Sequence, residues 1–141
     1  MKKRRISIKE AAEFHGHLGP YLVLGLLAGE YAIAKLGCNR HFGIEVSVWG
    51  AGKRPKSCLI DGLQLATGAT YGKGNIRKFN GEKIKIKISS SENKKFITLR
   101  LNKTLSRDLE KKMSHKDAED LARKLYEIKP DNLLSIILTN L

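Results

Sequence analysis

The sequence predicts an α+β fold: a mainly antiparallel sheet packed against a buried central helix. Three observations carry that prediction. Residues 21–36 are apolar or small on nearly every helical face, which marks a helix enclosed on all sides. Residues 83–88 and 96–101 both alternate apolar and polar side chains with period two, and residues 91–95 between them fit a hairpin loop. The element order, helices, strand, helix, hairpin, helices, strand, is that of an α+β chain. With 141 residues, 41% of them hydrophobic, there is material for one core, so residues 1–141 are read as a single domain.

In chain order, Ser7 and Glu10 form a capping box that starts a short helix through Ala11, Ala12 and Phe14. Gly16, Gly19 and Pro20 stop it, because Gly19 is pushed out of the helical region by the proline that follows. Pro20 suits the first turn of the central helix. Gly25 and Gly29, four apart, allow another backbone to approach that helix closely, and Gly37 serves as its C-terminal cap. Ile44, Val46 and Val48 alternate with Glu45, Ser47 and Trp49 as a half-buried strand. A loop over 50–57 leads to a short helix over 59–66, ended by Thr67-Gly68, and then to a Gly-rich stretch over 68–75. In the hairpin, Ile84, Ile86 and Ile88 share a core face with Ile97, Leu99 and Leu101, while Lys83, Lys85, Lys87 and Arg100 face solvent or a partner. Ser114 caps a last helix carrying Ala118, Leu121, Ala122 and Leu125 at helical spacing, and a turn over 130–132 precedes a final apolar strand over 133–138.

The formal net charge is +13, from 27 basic and 14 acidic residues, which favours polyanions or anionic substrates. Between Val46 and Gly81 the one acid is Asp61, against Lys53, Arg54, Lys56, Lys73, Arg77 and Lys78. The N-terminal MKKRR lacks the apolar stretch and cleavage site of a secretory signal. Glu30 interrupts the most apolar segment, 21–34, leaving its uncharged part short of the roughly 18 residues needed to span a bilayer. The expectation is therefore a cytoplasmic protein with no membrane association. In that compartment Cys38 and Cys58 are expected to be free or metal-bound rather than paired.

Chemistry concentrates in three segments. In Phe14-His15-Gly16-His17-Leu18-Gly19-Pro20, the two histidines would point about 200° apart on a regular helix. A turn broken by Gly16, Gly19 and Pro20 can instead swing both imidazoles toward one point. The spacing also fits two unrelated histidines, one buried and one on the surface. In Cys58-Leu-Ile-Asp61-Gly62, Cys58 is placed at a helix start just after Lys53, Arg54 and Lys56, features that favour the thiolate. It equally fits a small side chain filling a helix start. Asp61 could orient a metal-bound histidine, carry a proton, or simply complement the helix dipole. The Gly-rich stretch is one residue short of a nucleotide-binding P-loop, and Gly74 follows Lys73 where Ser or Thr is required, so nucleotide hydrolysis is excluded. A loop carrying Thr70, Lys73 and Asn75 could still cradle an anionic group, and an ordinary flexible loop reads the same way. Cys38 reads as a packed residue, His41 as a loop residue and His115 as a surface residue at a helix start. The basic hairpin face could attract nucleic acid, but it has few aromatics for base stacking, Phe96 and Trp49 alone.

Taken together, FHGHLGPYLVLG, Cys58-Leu-Ile-Asp61-Gly62-Leu-Gln64 and Thr67-Gly68-Ala-Thr70-Tyr-Gly72-Lys73-Gly74-Asn75 resemble the formylmethanofuran dehydrogenase E-subunit family. The likeness runs over roughly residues 8–138. It implies an α+β domain that dimerises, with His15, His17 and Cys58 at the metal or active site of a cleft and Asp61 and residues 67–75 lining it. Cys58 and Asp61 are then the catalytic candidates, and Thr67, Thr70, Lys73 and Asn75 the cofactor-binding ones. Some members carry a C-terminal zinc ribbon with CxxC pairs, which this sequence lacks. The cysteine sets of iron–sulfur clusters are lacking too.

Two functions follow as expectations. One is a metal-dependent enzyme or accessory protein linked to one-carbon or molybdo/tungstopterin metabolism, with a small anionic substrate or cofactor. Zn²⁺ suits its mixed imidazole and thiolate shell, as would another divalent transition metal. The other is a basic RNA- or polyanion-binding module, whose contacts would be weak and unspecific in sequence. A homodimer is expected as well, because the apolar helix and the apolar tail over 133–141 hold more hydrophobic surface than one small domain readily covers.

Overall fold

The computed structural model describes residues 6–140. The MKKRR run lies outside the described residues, as do Leu141 and the side chains of residues 138–140, which end the expected apolar tail. Helix α1 (Ile8–His15) begins at the expected capping box, both of whose hydrogen bonds form, and ends at Gly16 in the left-handed conformation. Helix α2 (Pro20–Leu36) follows directly after Gly19 and is capped by left-handed Gly37. Next come β1 (Ile44–Trp49), α3 (Cys58–Thr67), β2 (Ile76–Phe79) and the hairpin of β3 (Lys85–Ser90) and β4 (Lys95–Leu101). Helices α4 (Lys103–Leu109) and α5 (His115–Tyr126), a 3₁₀ turn over Pro130–Asn132 and β5 (Leu134–Asn140) complete the described chain.

The five strands form one sheet in the order β2-β1-β3-β4-β5. Only β1 and β2 run parallel; the other neighbours are antiparallel, as the period-two patterns imply. Two elements escape the sequence. Strand β2 has two apolar residues in four, and of these only Ile76 is buried, so period two has nothing to act on. Helix α4 is seven residues long and is held by an Asn102 cap whose side chain accepts from Leu105 N. In the hairpin, Ile84, Ile86, Ile88, Ile97 and Leu99 are buried as expected, but Leu101, at the end of β4, is only half buried.

Helix α2 is the centre of the core. Residues from Pro20 to Gly29 are all buried, and Leu22, Leu24, Leu26 and Leu27 are essentially without solvent contact. Each such leucine contributes about 1.5–3 kcal/mol through burial. The sheet supplies Ile44, Val46, Val48, Ile86, Ile88, Ile97 and Leu99 to the same cluster, and α5 adds Ala122 and Leu125. The chain therefore covers α2 itself, so this helix leaves little apolar surface for a second copy.

The tightest packing is between α2 and α3. A methyl group on Gly25 would run into the carbonyl of Leu59 and lie 3.0 Å from Gly62 Cα; one on Gly62 would run into the carbonyl of Leu22 and lie 2.7 Å from Leu26 N. A methyl group on Gly29 would lie 2.6 Å from Ala66 Cβ. The small residues noted in the sequence thus let two main chains touch. Gly25→Ala or Gly62→Ala must push the helices apart, at a cost of about 3 kcal/mol or more. Thermal denaturation is expected to show a Tm lowered by roughly 10 °C for either variant. Gly72→Ala is the control, since a methyl there meets nothing nearer than 4.0 Å and its Tm should hardly move.

Candidate functional site

Three of the sequence candidates, His15, His17 and Asp61, meet among helix ends, the C-terminus of α1 and the N-termini of α2 and α3, while Thr67, Thr70, Lys73 and Asn75 lie at and beyond the other end of α3. His15 is the last residue of α1, and the left-handed Gly16 turns the chain so that His17 comes back beside it. The two imidazole rings stack with centroids 5.0 Å apart at an interplanar angle of 27°. The broken turn does bring the two histidines together, which a continuous helix could not have done. His17 is exposed, with Nε2 near Gly19, whereas the His15 side chain is only 12% exposed.

Asp61 lies in the first turn of α3 and reaches across to α1, its Oδ2 2.6 Å from His15 Nδ1. An ionised carboxylate only accepts, so His15 donates from Nδ1, which in the neutral imidazole leaves Nε2 as the acceptor. Gln64, one turn further along α3, donates from Nε2 to Asp61 Oδ1 at 3.4 Å and accepts from Tyr71 N at 2.9 Å. A hydrogen-bonded chain thus links the end of α1 to the Gly-rich loop. The sequence motif contains Gln64 without marking it for a role; its i,i+3 spacing from Asp61 on one helix face is the signal that could have done so.

Cys58 opens α3 as expected, half buried, one turn before Asp61. Its ionisation does not follow the expectation. Burial pushes the thiol above its ordinary range and the Asp61 carboxylate pushes it further, while Arg54 and a backbone hydrogen bond pull it back only in part. Lys56 spends its charge on Glu110, 3.1 Å away. The position at a helix start therefore does not yield a resting thiolate, because desolvation outweighs the neighbouring cations. Among the described residues no group of three or more His, Cys, Asp and Glu side chains is assembled to hold a metal ion. Two open grooves of about 380 and 760 Å³ lie elsewhere, and neither is lined by His15, His17, Cys58 or Asp61. Both cysteines are free, and Cys38 is a half-buried packing residue whose thiol is pushed above its ordinary range by burial.

The Gly-rich loop is ordered by its own side chains. Buried Thr67 donates from Oγ1 to Leu63 O at 2.7 Å and accepts from Ala69 N at 3.1 Å. Lys73 donates from Nζ to Gly68 O at 2.6 Å and to Thr70 Oγ1 at 3.2 Å. Asn75 accepts from Thr70 N at 2.9 Å and donates to His41 O at 2.9 Å and Ile44 O at 3.2 Å. Arg40, which no sequence signal picked out, caps the end of α3 by donating to the carbonyls of Leu65 and Ala66. The four residues expected to bind a cofactor are occupied in holding the loop, and the amides of Thr70, Tyr71, Lys73 and Gly74 are donated within it or to Gln64. With about 1 kcal/mol for each neutral hydrogen bond, Asn75→Ala should cost roughly 2–3 kcal/mol. Amide hydrogen exchange should show Thr70 losing its protection while the amides of β3 and β4 keep theirs.

Known proteins share this arrangement of elements. A solved structure of a tungsten formylmethanofuran dehydrogenase FmdE-like protein from Syntrophus aciditrophicus superposes with a TM-score of 0.65. The superposition covers 100% of this chain and 78% of that one at 21% sequence identity, which establishes a shared fold. A protein of Archaeoglobus fulgidus described as a probable S-adenosyl-L-methionine-binding protein is 35% identical over 72 residues. That match takes in 47% of this chain and only 18% of the relative's length. Residues 14–138 match the family described as FmdE, molybdenum formylmethanofuran dehydrogenase operon, and this span begins beside His15 and takes in His17, Cys58, Asp61 and the whole Gly-rich loop. The chain belongs to the FmdE family.

Proposed function

We propose that this protein is a metal-binding member of the FmdE family, an enzyme or accessory protein serving the one-carbon chemistry of the formylmethanofuran dehydrogenase operon. His15, His17 and Cys58 are the ligands, and Asp61 is the group that orients His15. The observation that carries the reading is the 2.6 Å bond from His15 Nδ1 to Asp61, the pairing by which a carboxylate fixes the tautomer and direction of a ligating imidazole. The donor set, two imidazoles and a thiol, fits Zn²⁺ or another borderline divalent ion, and three protein ligands leave a position for water or substrate. A metal bound there would supply Lewis acidity. The residues would supply orientation through Asp61, a partly buried wall at Cys58, and access through exposed His17. Because the three side chains are not already assembled around one point, binding carries the cost of drawing them together, of ordering the His17 side chain and of removing the Cys58 proton.

That proton sets the pH dependence. Because the Cys58 pKa is raised, the thiol is protonated at neutral pH, and each ion bound must displace its proton. Apparent affinity should therefore rise as pH increases from about 6.5 toward the thiol pKa, by up to about tenfold per unit. Elemental analysis and competition titrations on untagged protein test this. Wild type should carry or accept about one divalent transition metal per chain, and Asp61→Asn should weaken binding about 10–100-fold. Cys58→Ser should flatten the pH profile. A wild-type protein that neither carries nor takes up metal sinks the reading, and unchanged affinity in both His17→Ala and Cys58→Ser assigns the wrong ligands.

A homodimer remains part of the proposal, on other grounds than α2. Phe42 and Tyr71, both well exposed beside the Gly-rich loop, are the apolar groups that a symmetric contact would cover. Light scattering should give twice the chain mass of 15.8 kDa, with Phe42→Asp or Tyr71→Asp returning it to the monomer; a monomer at every micromolar concentration refutes it.

A further inference from the structure

The face of the sheet turned away from α2 carries a second, unassigned surface. Strand alternation sends Glu45, Ser47 and Trp49 of β1, Lys85 and Lys87 of β3, and Phe96, Thr98 and Arg100 of β4 to this side, so Glu45 stands as a carboxylate among four strand cations. Strand β2 adds Arg77 and Phe79, which pair in register with Ser47 and Trp49. The helices pack on the sheet through α2, on the opposite face, and this one is open: Phe79 is 43% and Ile137 64% exposed.

Its composition is specific. Trp49 and Phe79 stack with centroids 5.2 Å apart at 23°, making a continuous aromatic shelf across two strands. Lys85 Nζ lies 4.3 Å from the Trp49 ring centre and Lys87 Nζ 4.4 Å from that of Phe96. Arg77 and Arg100 flank the rings. Arg100 also lines the groove of about 760 Å³ together with Lys83, Lys103 and Arg107, cations that outnumber the Glu82 and Glu110 carboxylates there. Sequence alone counts Phe96 and Trp49, because the strand carrying Phe79 has no visible pattern.

We propose that this sheet face binds single-stranded RNA, with bases stacked on Trp49, Phe79 and Phe96 and phosphates held by Arg77, Lys85, Lys87 and Arg100. Aromatic rings interleaved with flexible cations at one-strand spacing are what unpaired bases on a charged backbone require. The lysine tips now resting on the rings are placed to swing onto phosphates as bases take their positions. A duplex hides the base faces and cannot use the shelf. Hydroxyls of Ser47 and Thr98 on the same face can meet the ribose 2′-OH, which favours RNA over DNA. Stacking reads no sequence, so binding is sequence-tolerant.

Trp49 is the one tryptophan in the chain, so its fluorescence reports from the site itself. Titrating full-length protein with a mixed-sequence RNA of about 12 nucleotides at roughly 50 mM salt should quench Trp49 with a micromolar midpoint. Four phosphate contacts should make affinity fall roughly 50-fold between 50 and 200 mM salt. Lys85→Glu/Lys87→Glu should weaken binding at least about tenfold, and Phe96→Ala or Phe79→Ala at least about fivefold, in variants whose circular dichroism and Tm confirm folding. The matching DNA strand should bind more weakly, and duplex RNA or heparin should bind without quenching. Failure to bind overturns the proposal. So do an affinity for heparin that matches the RNA and ignores both phenylalanine variants, tighter binding of DNA, or a Trp49 signal that changes with protein concentration alone and shows the face closed by a second copy.

Discussion

Where Gly25 of α2 meets Gly62 of α3, two main chains touch with no side chain between them, and the placement of the whole site depends on that crossing. An ordinary helix pair packs with its axes about 8–10 Å apart. The glycines let α3 sink further, and Gly29 against Ala66 extends the close approach by one turn. Asp61 immediately precedes Gly62, so the depth of α3 sets how far its carboxylate reaches toward α1. A 2.6 Å bond to His15 tolerates little error in that depth. The histidine turn and the α3 segment that carries both Cys58 and Asp61 thus come from separate stretches of sequence, and the helix crossing sets how they meet.

The parts of the fold written in local pattern were legible. The Ser7 and Glu10 box, the uniform apolarity of residues 21–36, Gly37 and the isoleucine alternation of β3 each express a short-range rule, and each appears where it was expected. What failed was either tertiary or electrostatic. Strand β2 exists because β1 offers it a parallel edge; its own residues, Ile76-Arg77-Lys78-Phe79, carry no alternation. The ionisation of Cys58 depends on burial and on Asp61, which compete with the cations visible in the sequence, and burial is not readable from neighbours in the chain. The hydrogen bonds that the polar side chains of the Gly-rich loop make within the chain are likewise not readable from the sequence pattern.

The two candidate surfaces are physically independent. One lies among helix ends and uses a small number of close polar contacts, with the exposed His17 as its outward part. The other lies on the far side of the sheet and relies on rings, cations and open area. No residue belongs to both surfaces. Substitutions on either face can therefore be compared without one confounding the other, since sites without shared partners contribute additively to stability.

Strand β2 is one of the two outer strands of the sheet, the other being β5, and its edge bears on contacts between copies. An outermost strand presents unpaired backbone groups to any other strand that approaches, and a long flat apolar edge would invite endless side-by-side addition. Here the edge is four residues long, and Arg77 and Lys78 at its centre are exposed. Two like-charged edges brought together would repel before their amides could pair. The basic residues of β2 thus act as a barrier to sheet-to-sheet growth. Loss of those charges would remove that repulsion at the β2 edge.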